Sequence, residues 1–361
     1  MIIRKLTLAG MIFSISFPLF AAEIYNKDGN QLQLTGAVHA RHYFSDDTSL
    51  NGDNTFIRFG FKGQTRINEW LSGYAQWEVN VQANHTESGS DAQTGNATRL
   101  AYAGLNAGTF GSLDYGRNWG VDYDLASYTD YAPIFNNLTF SAGDNFMTGR
   151  GTGLLTWRNH DTFGLIDGLD FAVQYQGAND SSETTGSSRS AIKQNGEGYG
   201  MSLTWHATDE ISIVGAGSSS RRTAAQQALS LGKGEYADMW GGGIKYAGKQ
   251  LYLATIYAET HNLTPIKSLG FANKTRDWEA VAGYQFNNGI RPQVGYFWSR
   301  AFDIENTGNV DLIRYLDLAM MYYFNDNMVT YVDYKINMLD NNQQFGITND
   351  DVIGFGLTYH F

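Results

Sequence analysis

The sequence predicts an all-β fold: a sixteen-stranded antiparallel transmembrane β-barrel with an inward-folded constriction loop. Three observations carry this. Apolar and polar residues alternate with period two from end to end, the connections between such stretches are alternately short and long, and the composition is polar on average yet poor in charge. The 361 residues include 25 basic and 36 acidic ones, with 41 Gly and 22 Tyr but only 4 Pro and no Cys. Mean hydropathy is −0.33 although only 17% of residues are charged, so the polarity comes from Asn, Gln, Ser, Thr, Gly and Tyr. A wide barrel accounts for this, because its outer face meets lipid while its inner face meets water. It accounts for the scarcity of Pro as well, since Pro in a central strand removes a ladder donor.

Residues 1–21, MIIRKLTLAGMIFSISFPLFA, read as a secretory signal peptide. They have a basic start at Arg4 and Lys5, an apolar run, and a small-residue cleavage site at Ala21–Ala22. Residues 22–361 are then the barrel. Loss of Arg4 and Lys5 leaves 23 basic against 36 acidic residues. Beyond this segment no run of 18 or more apolar residues occurs, so the crossing elements are strands.

The predicted strands lie near 31–43, 55–67, 70–83, 97–107, 111–117, 149–158, 168–176, 196–205, 210–218, 236–246, 250–259, 276–286, 290–299, 311–324, 328–338 and 350–361. In the first, Leu32, Leu34, Val38 and Ala40 share one face, and Gln33, Thr35, His39 and Arg41 the other. In the third, Leu71, Ala75, Trp77, Val79 and Val81 oppose Tyr74, Gln76, Glu78, Asn80 and Gln82. The last alternates Ile353, Phe355, Leu357, Tyr359 and Phe361 with Gly354, Gly356, Thr358 and His360. Short connections (Asn68–Glu69, His206–Asp209, Asn325–Asn327) take turns with long ones (44–54, 84–96, 177–195, 219–235, 339–349). That is the pattern of an up-and-down barrel with tight turns on one rim and loops on the other.

The connection between 117 and 149 is too long for a tight turn. It carries Asp122, Asp124, Asp130 and Asp144 without Lys or Arg, together with Tyr123, Tyr128, Tyr131, Pro133, Ile134 and Phe135. Its acidity suits a loop in solvent, while its aromatic residues favour packing inside the barrel.

The composition excludes several classes. The formal charge of −11 opposes nucleic-acid binding, which needs a basic footprint. Without Cys there is no disulfide framework, thiolate metal site or cysteine nucleophile. No HExxH or Walker A motif occurs, and His39 and His42 fall on opposite strand faces. His160–Asp161 reads as turn chemistry, and the Gly-rich GRGTG and WGGGIKY stretches read as strands needing small side chains or close backbone approach. No cofactor and no enzymatic activity are expected.

Several stretches resemble the enterobacterial general porins, the non-specific trimeric outer-membrane diffusion channels. These include AEIYNKDGN at 22–30, RFGFKGQTRIN at 58–68, GYAQWEVN at 73–80, DAQTGNATRLAYAGL at 91–105, GSLDYGRNWGV at 111–121, YTDYAPIF at 128–135, MTGRGTGLLTWRN at 147–159 and MVTYVDYKIN at 328–337. The resemblance spans all of residues 22–361. It implies a homotrimer in the outer membrane of a Gram-negative bacterium, passing small hydrophilic solutes and ions, with the third loop folded in as an eyelet. Arg58, Arg99 and Arg150 match the family's basic wall, Asp130 the acidic side of the loop, and Glu78 the carboxylate backing the arginines. Parity independently places Arg58 and Glu78 on the lumen side. Glu87 and Arg117 match a contact in which the second loop latches onto a neighbouring subunit. The final Phe361 resembles the signal read by the outer-membrane assembly machinery.

Three family charges are missing: Ala37 and Ala97 stand where lysines are expected, and Ile134 where the loop has a glutamate. Arg41, four residues beyond Ala37 and about 13 Å along the strand, is expected in the vestibule. Asp122 is an additional loop carboxylate, expected at the pore constriction. With two lysines lost against one glutamate in an acidic chain, a less polarised eyelet with mild cation preference is expected. Other readings are a substrate-specific porin, for an oligosaccharide for example, and an outer-membrane barrel enzyme. The loops leave room for contacts with outer-membrane lipid and lipopolysaccharide and for a phage-receptor role.

Overall fold

A computed structural model describes residues 22–136, 139–180, 189–340, 345 and 347–361; the segment read as a signal peptide lies outside these. Sixteen long strands form one closed sheet: β1 (Asn30–Phe44), β2 (Phe56–Arg66), β3 (Ser72–Gln82), β4 (Ala97–Asn106), β5 (Ser112–Trp119), β6 (Arg150–Asn159), β7 (Leu169–Gln176), β8 (Gly198–His206), β9 (Ile211–Arg221), β10 (Tyr236–Ala247), β11 (Leu251–His261), β12 (Lys274–Tyr284), β13 (Ile290–Ile304), β14 (Gly308–Tyr323), β15 (Met328–Asn337) and β16 (Val352–His360). Each pairs antiparallel with its sequence neighbours. Closure comes from β1, which runs from Asn30↔Thr65 to His39↔Phe56 against β2 and from Ala37↔His360 to Phe44↔Ile353 against β16. The ring of sixteen closes on itself, so each of these strands pairs on both sides, as a lipid environment requires.

The alternation reads out as two faces. Val38, Trp77, Leu113, Leu203, Trp240, Leu253, Trp278, Leu318, Phe355 and Tyr359 are exposed on the outer wall. On the same strands Ala37, Asp114, Ser202 and Asp317 are buried towards the inside. Exposed Trp and Tyr side chains suit the headgroup levels of a bilayer.

Two hairpins differ from the sequence expectation. Residues Ala22–Lys27 form a short additional strand paired with the start of β1, from Lys27↔Asn30 to Ala22↔Leu34. The two-residue turn is Asp28–Gly29 with φ of 54° and 77°, the left-handed pair that tight hairpins favour. The stretch 300–310, expected as a long connection, is mostly strand. β13 and β14 continue to a tight turn in which Asp303, Asn306 and Gly308 take positive φ. The extension is held by a small apolar cluster of Ala301, Ile304, Ile266, Ala272, Leu231, Phe345 and Ile347, which packs the loop-side ends together.

The main core lies inside the barrel. Residues 120–149, the loop L3, turn inward through the short helix α1 (Tyr123–Ala126). Leu125, Ala126, Tyr128, Phe135, Phe140 and Phe146 pack on Val214, Met239, Tyr252, Ile256, Val281, Phe297 and Tyr315 of the inner wall. Glycines make room: an added Cβ at Gly241 would meet Leu125 at 2.6 Å, and one at Gly354 would meet Ile134 at 2.4 Å. The WGGGIKY glycines thus serve close approach, by the loop.

Leu318→Arg places a guanidinium on the outer wall. Urea unfolding of the barrel refolded into phosphocholine vesicles should show a loss of about 2–4 kcal/mol if this level lies near the bilayer midplane, whereas Leu318→Ile should cost under about 1.5 kcal/mol.

Candidate functional site: the constriction

L3 is fastened to the inner wall at its root, middle and tip. At the root, Val121 N–H donates to Gln174 Oε1 at 2.8 Å, the Ser218 hydroxyl to Asp122 Oδ2 at 2.5 Å, and Arg158 Nη1 to Asp124 Oδ2 at 2.7 Å. In the middle, Glu279 of β12 accepts from the Thr129 hydroxyl and from Thr139 N–H and Oγ1, the latter two at 2.6 and 2.7 Å. At the tip, Asp333 Oδ2 of β15 accepts from Ile134 N–H at 2.9 Å and Phe135 N–H at 3.3 Å. The Tyr252 and Tyr315 hydroxyls donate to the carbonyls of Tyr128 and Phe135 at 2.7 and 2.8 Å. Irregular backbone at membrane depth survives where protein groups satisfy it, and these carboxylates and phenols do so.

The arginines stand on β2, β4 and β6. Arg58, Arg99 and Arg150 line an open lumen of about 1400 Å³ together with Glu78 and Asp130. Arg99 Nε donates to Glu78 Oε1 at 2.5 Å. The Arg150 guanidinium sits 4.6 Å from the Trp119 ring centroid, and that of Arg58 5.4 Å from Phe56. Asp130 accepts from the Tyr123 hydroxyl at 2.6 Å and from the Asn136 side chain. Arg99 has the parity of Ala101 and Ala103, which face outward. It enters the lumen because β3 and β4 slip register there, Glu78 pairing with Leu100 and Val79 with Thr98. This bulge is why alternation supported Arg58 and Glu78 but not Arg99.

Arg41 reaches further than a vestibule position. Its Nη2 donates to the Pro133 carbonyl at the loop tip at 3.1 Å, and its Nε to the Tyr331 hydroxyl at 3.0 Å. It thus joins the constriction by holding the loop. Asp122 does not line the pore: it is fully buried between loop and wall. Arg117 lies opposite Ala101 on the outer face at a register slip, donates to the Thr98 carbonyl at 2.8 Å and pairs with Asp144. Glu87 is exposed in the loop 83–96. The loop posts Glu279 and Asp333 were not singled out from the sequence. Their signal is the T-x-D-x-E run 275–279 and the Asp333 of TYVDYK, acidic residues on the inward parity of strands that carry few inward basic partners.

Among the described residues, eleven Lys and Arg side chains line the lumen, against five acidic ones: Glu78, Asp114, Asp124, Asp130 and Asp170. The buried Asp122, Asp277, Glu279, Asp317 and Asp333 lie behind this surface. The negative excess of the chain therefore sits outside the ion path.

Burial without a compensating cation raises the Asp122 carboxyl to about 8. The folded loop binds this proton more tightly than a released loop would. The stabilisation is thus complete below the ordinary carboxylate range and is lost as pH rises towards 8. Current fluctuations in planar bilayers should grow from pH 5 to pH 9, and Asp122→Asn should flatten that dependence; an unchanged slope would assign it to another group.

Residues 27–361 match the family model for Gram-negative porins. The chain is 49% identical over 348 residues to outer membrane porin C of Enterobacter cloacae, covering 94% of each chain. It is 48% identical to the outer membrane porin PhoE of Escherichia coli, covering 99% of this chain and all of that one. Among solved structures, Salmonella typhi OmpF in complex with daunomycin superposes with a TM-score of 0.85 at 42% identity, covering 94% of this chain and all of that one. The closed sixteen-stranded barrel, the infolded L3 and these relationships agree: the chain is a non-enzymatic outer-membrane channel protein belonging to the Gram-negative porin family.

Proposed function

We propose that this porin is a passive, homotrimeric diffusion channel for small hydrophilic solutes and ions, narrowed by L3 and weakly selective for anions. The observation that carries it is the fixed loop standing opposite the arginine wall across an open lumen. Such a fixed constriction sorts solutes by size and charge without a binding cycle, and flux follows the gradient. The mild cation preference expected from the loss of two lysines against one glutamate in an acidic chain is not favoured by the lining, in which basic groups outnumber acidic ones among the described residues. Opposed charges across a narrow aqueous gap act on ions at short range, so the lining decides.

The reversal potential in a KCl gradient tests the selectivity. Chloride should be favoured by about twofold, and Lys245→Glu should move the ratio towards potassium. A clear cation preference in the parent would overturn the anion assignment and restore the reading from net charge.

In the proposed trimer, Glu87 of one subunit reaches Arg117 of the next. Arg117 offers a guanidinium outside the lumen, and Glu87 is free to reach a neighbour. Glu87→Ala should lower the dissociation temperature of the trimer in detergent by about 2–4 °C. An unchanged temperature would remove this pair from the contact.

A further inference from the structure

The rim of short turns carries a cluster that neither L3 nor the arginine wall uses. His160 Nδ1 lies 3.0 Å from Asp170 Oδ2, and His206 Nε2 lies 3.3 Å from the same oxygen. Two imidazoles thus share one carboxylate oxygen. His206 Nδ1 is also 2.9 Å from the Ser212 hydroxyl. All three side chains line the lumen; those of His160 and His206 are 49% and 37% exposed, that of Asp170 only 12%.

The cluster is built by the fold. Asp161, Thr162 and Phe163 are consecutive left-handed residues in the β6–β7 turn. Asp170 Oδ1 accepts from Asp161 N–H at 3.0 Å, and Asp161 Oδ1 accepts from Gly168 N–H at 2.7 Å. Asp161 is the turn residue its sequence suggested. The same bonds aim His160 at Asp170, and Thr204↔Asp170 pairing brings β8 with His206 alongside.

We infer that His160 and His206 are specificity-determining residues that make ion selectivity depend on pH at the periplasmic mouth, separately from the constriction. Histidine alone among side chains has an ordinary range that changes charge between pH 5 and 8. With both imidazoles neutral, Asp170 leaves the mouth with one negative charge. With both protonated, the cluster carries one positive charge. The mouth then repels cations and admits anions more readily. The hydrogen bond that its ring donates to Asp170 raises His160 above the ordinary histidine value, so its proton is gained at higher pH than by a free imidazole. The other charged or titratable groups facing the cluster are Arg158 and Asp161 beside His160, Asp124 and Tyr128 of L3, and Asp114 and Lys245 on the adjoining wall. Arg158 is paired with Asp124. Lys245, opposite Ser212, covers the Tyr128 ring at 4.4 Å. His39 and His360 also face the lumen, on β1 and β16, and His39 stands beside Arg41 and Arg58; the paired substitution below leaves both in place.

The inference rests on the channel reading, which fails on its own if the full-length trimer conducts no ions. In planar bilayers with a KCl gradient, lowering the pH from 8 to 5 in the compartment at the short-turn rim should raise the chloride-to-potassium permeability ratio about twofold. Acidifying the opposite compartment alone should do less. The paired change His160→Gln and His206→Gln should abolish the shift while leaving conductance at pH 8 intact. Asp170→Asn, a separate route should that pair not assemble, should raise the ratio already at pH 8 and lower the midpoint of the remaining titration. A conducting parent with a pH-invariant ratio, a paired variant that titrates like the parent, or an Asp170→Asn channel indistinguishable from it would each overturn the inference.

Discussion

No water reaches the hydrocarbon core of a bilayer to bond a free peptide group. Each strand here must therefore find a partner on both sides, and a sheet that does so for every strand closes on itself. β1 supplies the closure by pairing with β2 on one edge and β16 on the other. Closure fixes the two faces, because a strand in a ring alternates between lipid and lumen except where a bulge intervenes. The outer wall can then be apolar throughout. The interior of a ring this wide cannot be filled by wall side chains alone, so the core is completed by a loop.

That loop brings its own backbone into the barrel, and the same rule applies to it. L3 is held by groups projecting from the wall: Glu279 towards its middle, Asp333 at its tip, Gln174 at its root, and the Tyr252 and Tyr315 hydroxyls on its carbonyls. A carboxylate oxygen accepting two N–H groups makes stronger hydrogen bonds than a neutral acceptor. Removing such a group would leave loop amides unpaired, at about 1–3 kcal/mol each. Apolar packing of Leu125, Phe140 and Phe146 supplies the non-directional part, and the glycines of β10 and β16 give the loop its distance from the wall. The position of the loop in the barrel is therefore held in part by buried acidic residues, Glu279 and Asp333, that do not line the lumen.

Much of this was legible in the sequence, because the period of two is strict wherever one face meets lipid. Strand order, the tight turns and the inward parity of Arg58 and Glu78 followed directly. Arg99 did not, since a bulge reverses its facing and a bulge leaves no mark in an alternation count. The tall β13–β14 hairpin was hidden because its outer part leaves the membrane level, where polar and apolar residues no longer have to alternate. Arg41 was placed by distance along its strand, which ignores the reach of its own side chain to Pro133. A loop sequence does not say which of its sides turns to the wall, and Asp122, expected at the pore, turns to the wall.

Asp122 also shows why a net charge is a poor guide to a channel. At physiological ionic strength a charge acts over about 8 Å of solution. An ion in the lumen therefore responds to the lining residues and hardly to carboxylates on the surface loops. Carboxylates between loop and wall are nearer, but their oxygens are turned to the hydroxyls and amides they hold. Among the described residues, some acidic side chains fasten the loop to the wall, others lie in the loops outside, and five line the lumen. Of those five, Glu78 is bonded to Arg99, Asp124 to Arg158, and Asp170 to two imidazoles. The field along the pore is consequently set by how few lumen carboxylates stand against a basic lining, and Asp170 is one whose neighbours change charge near neutrality.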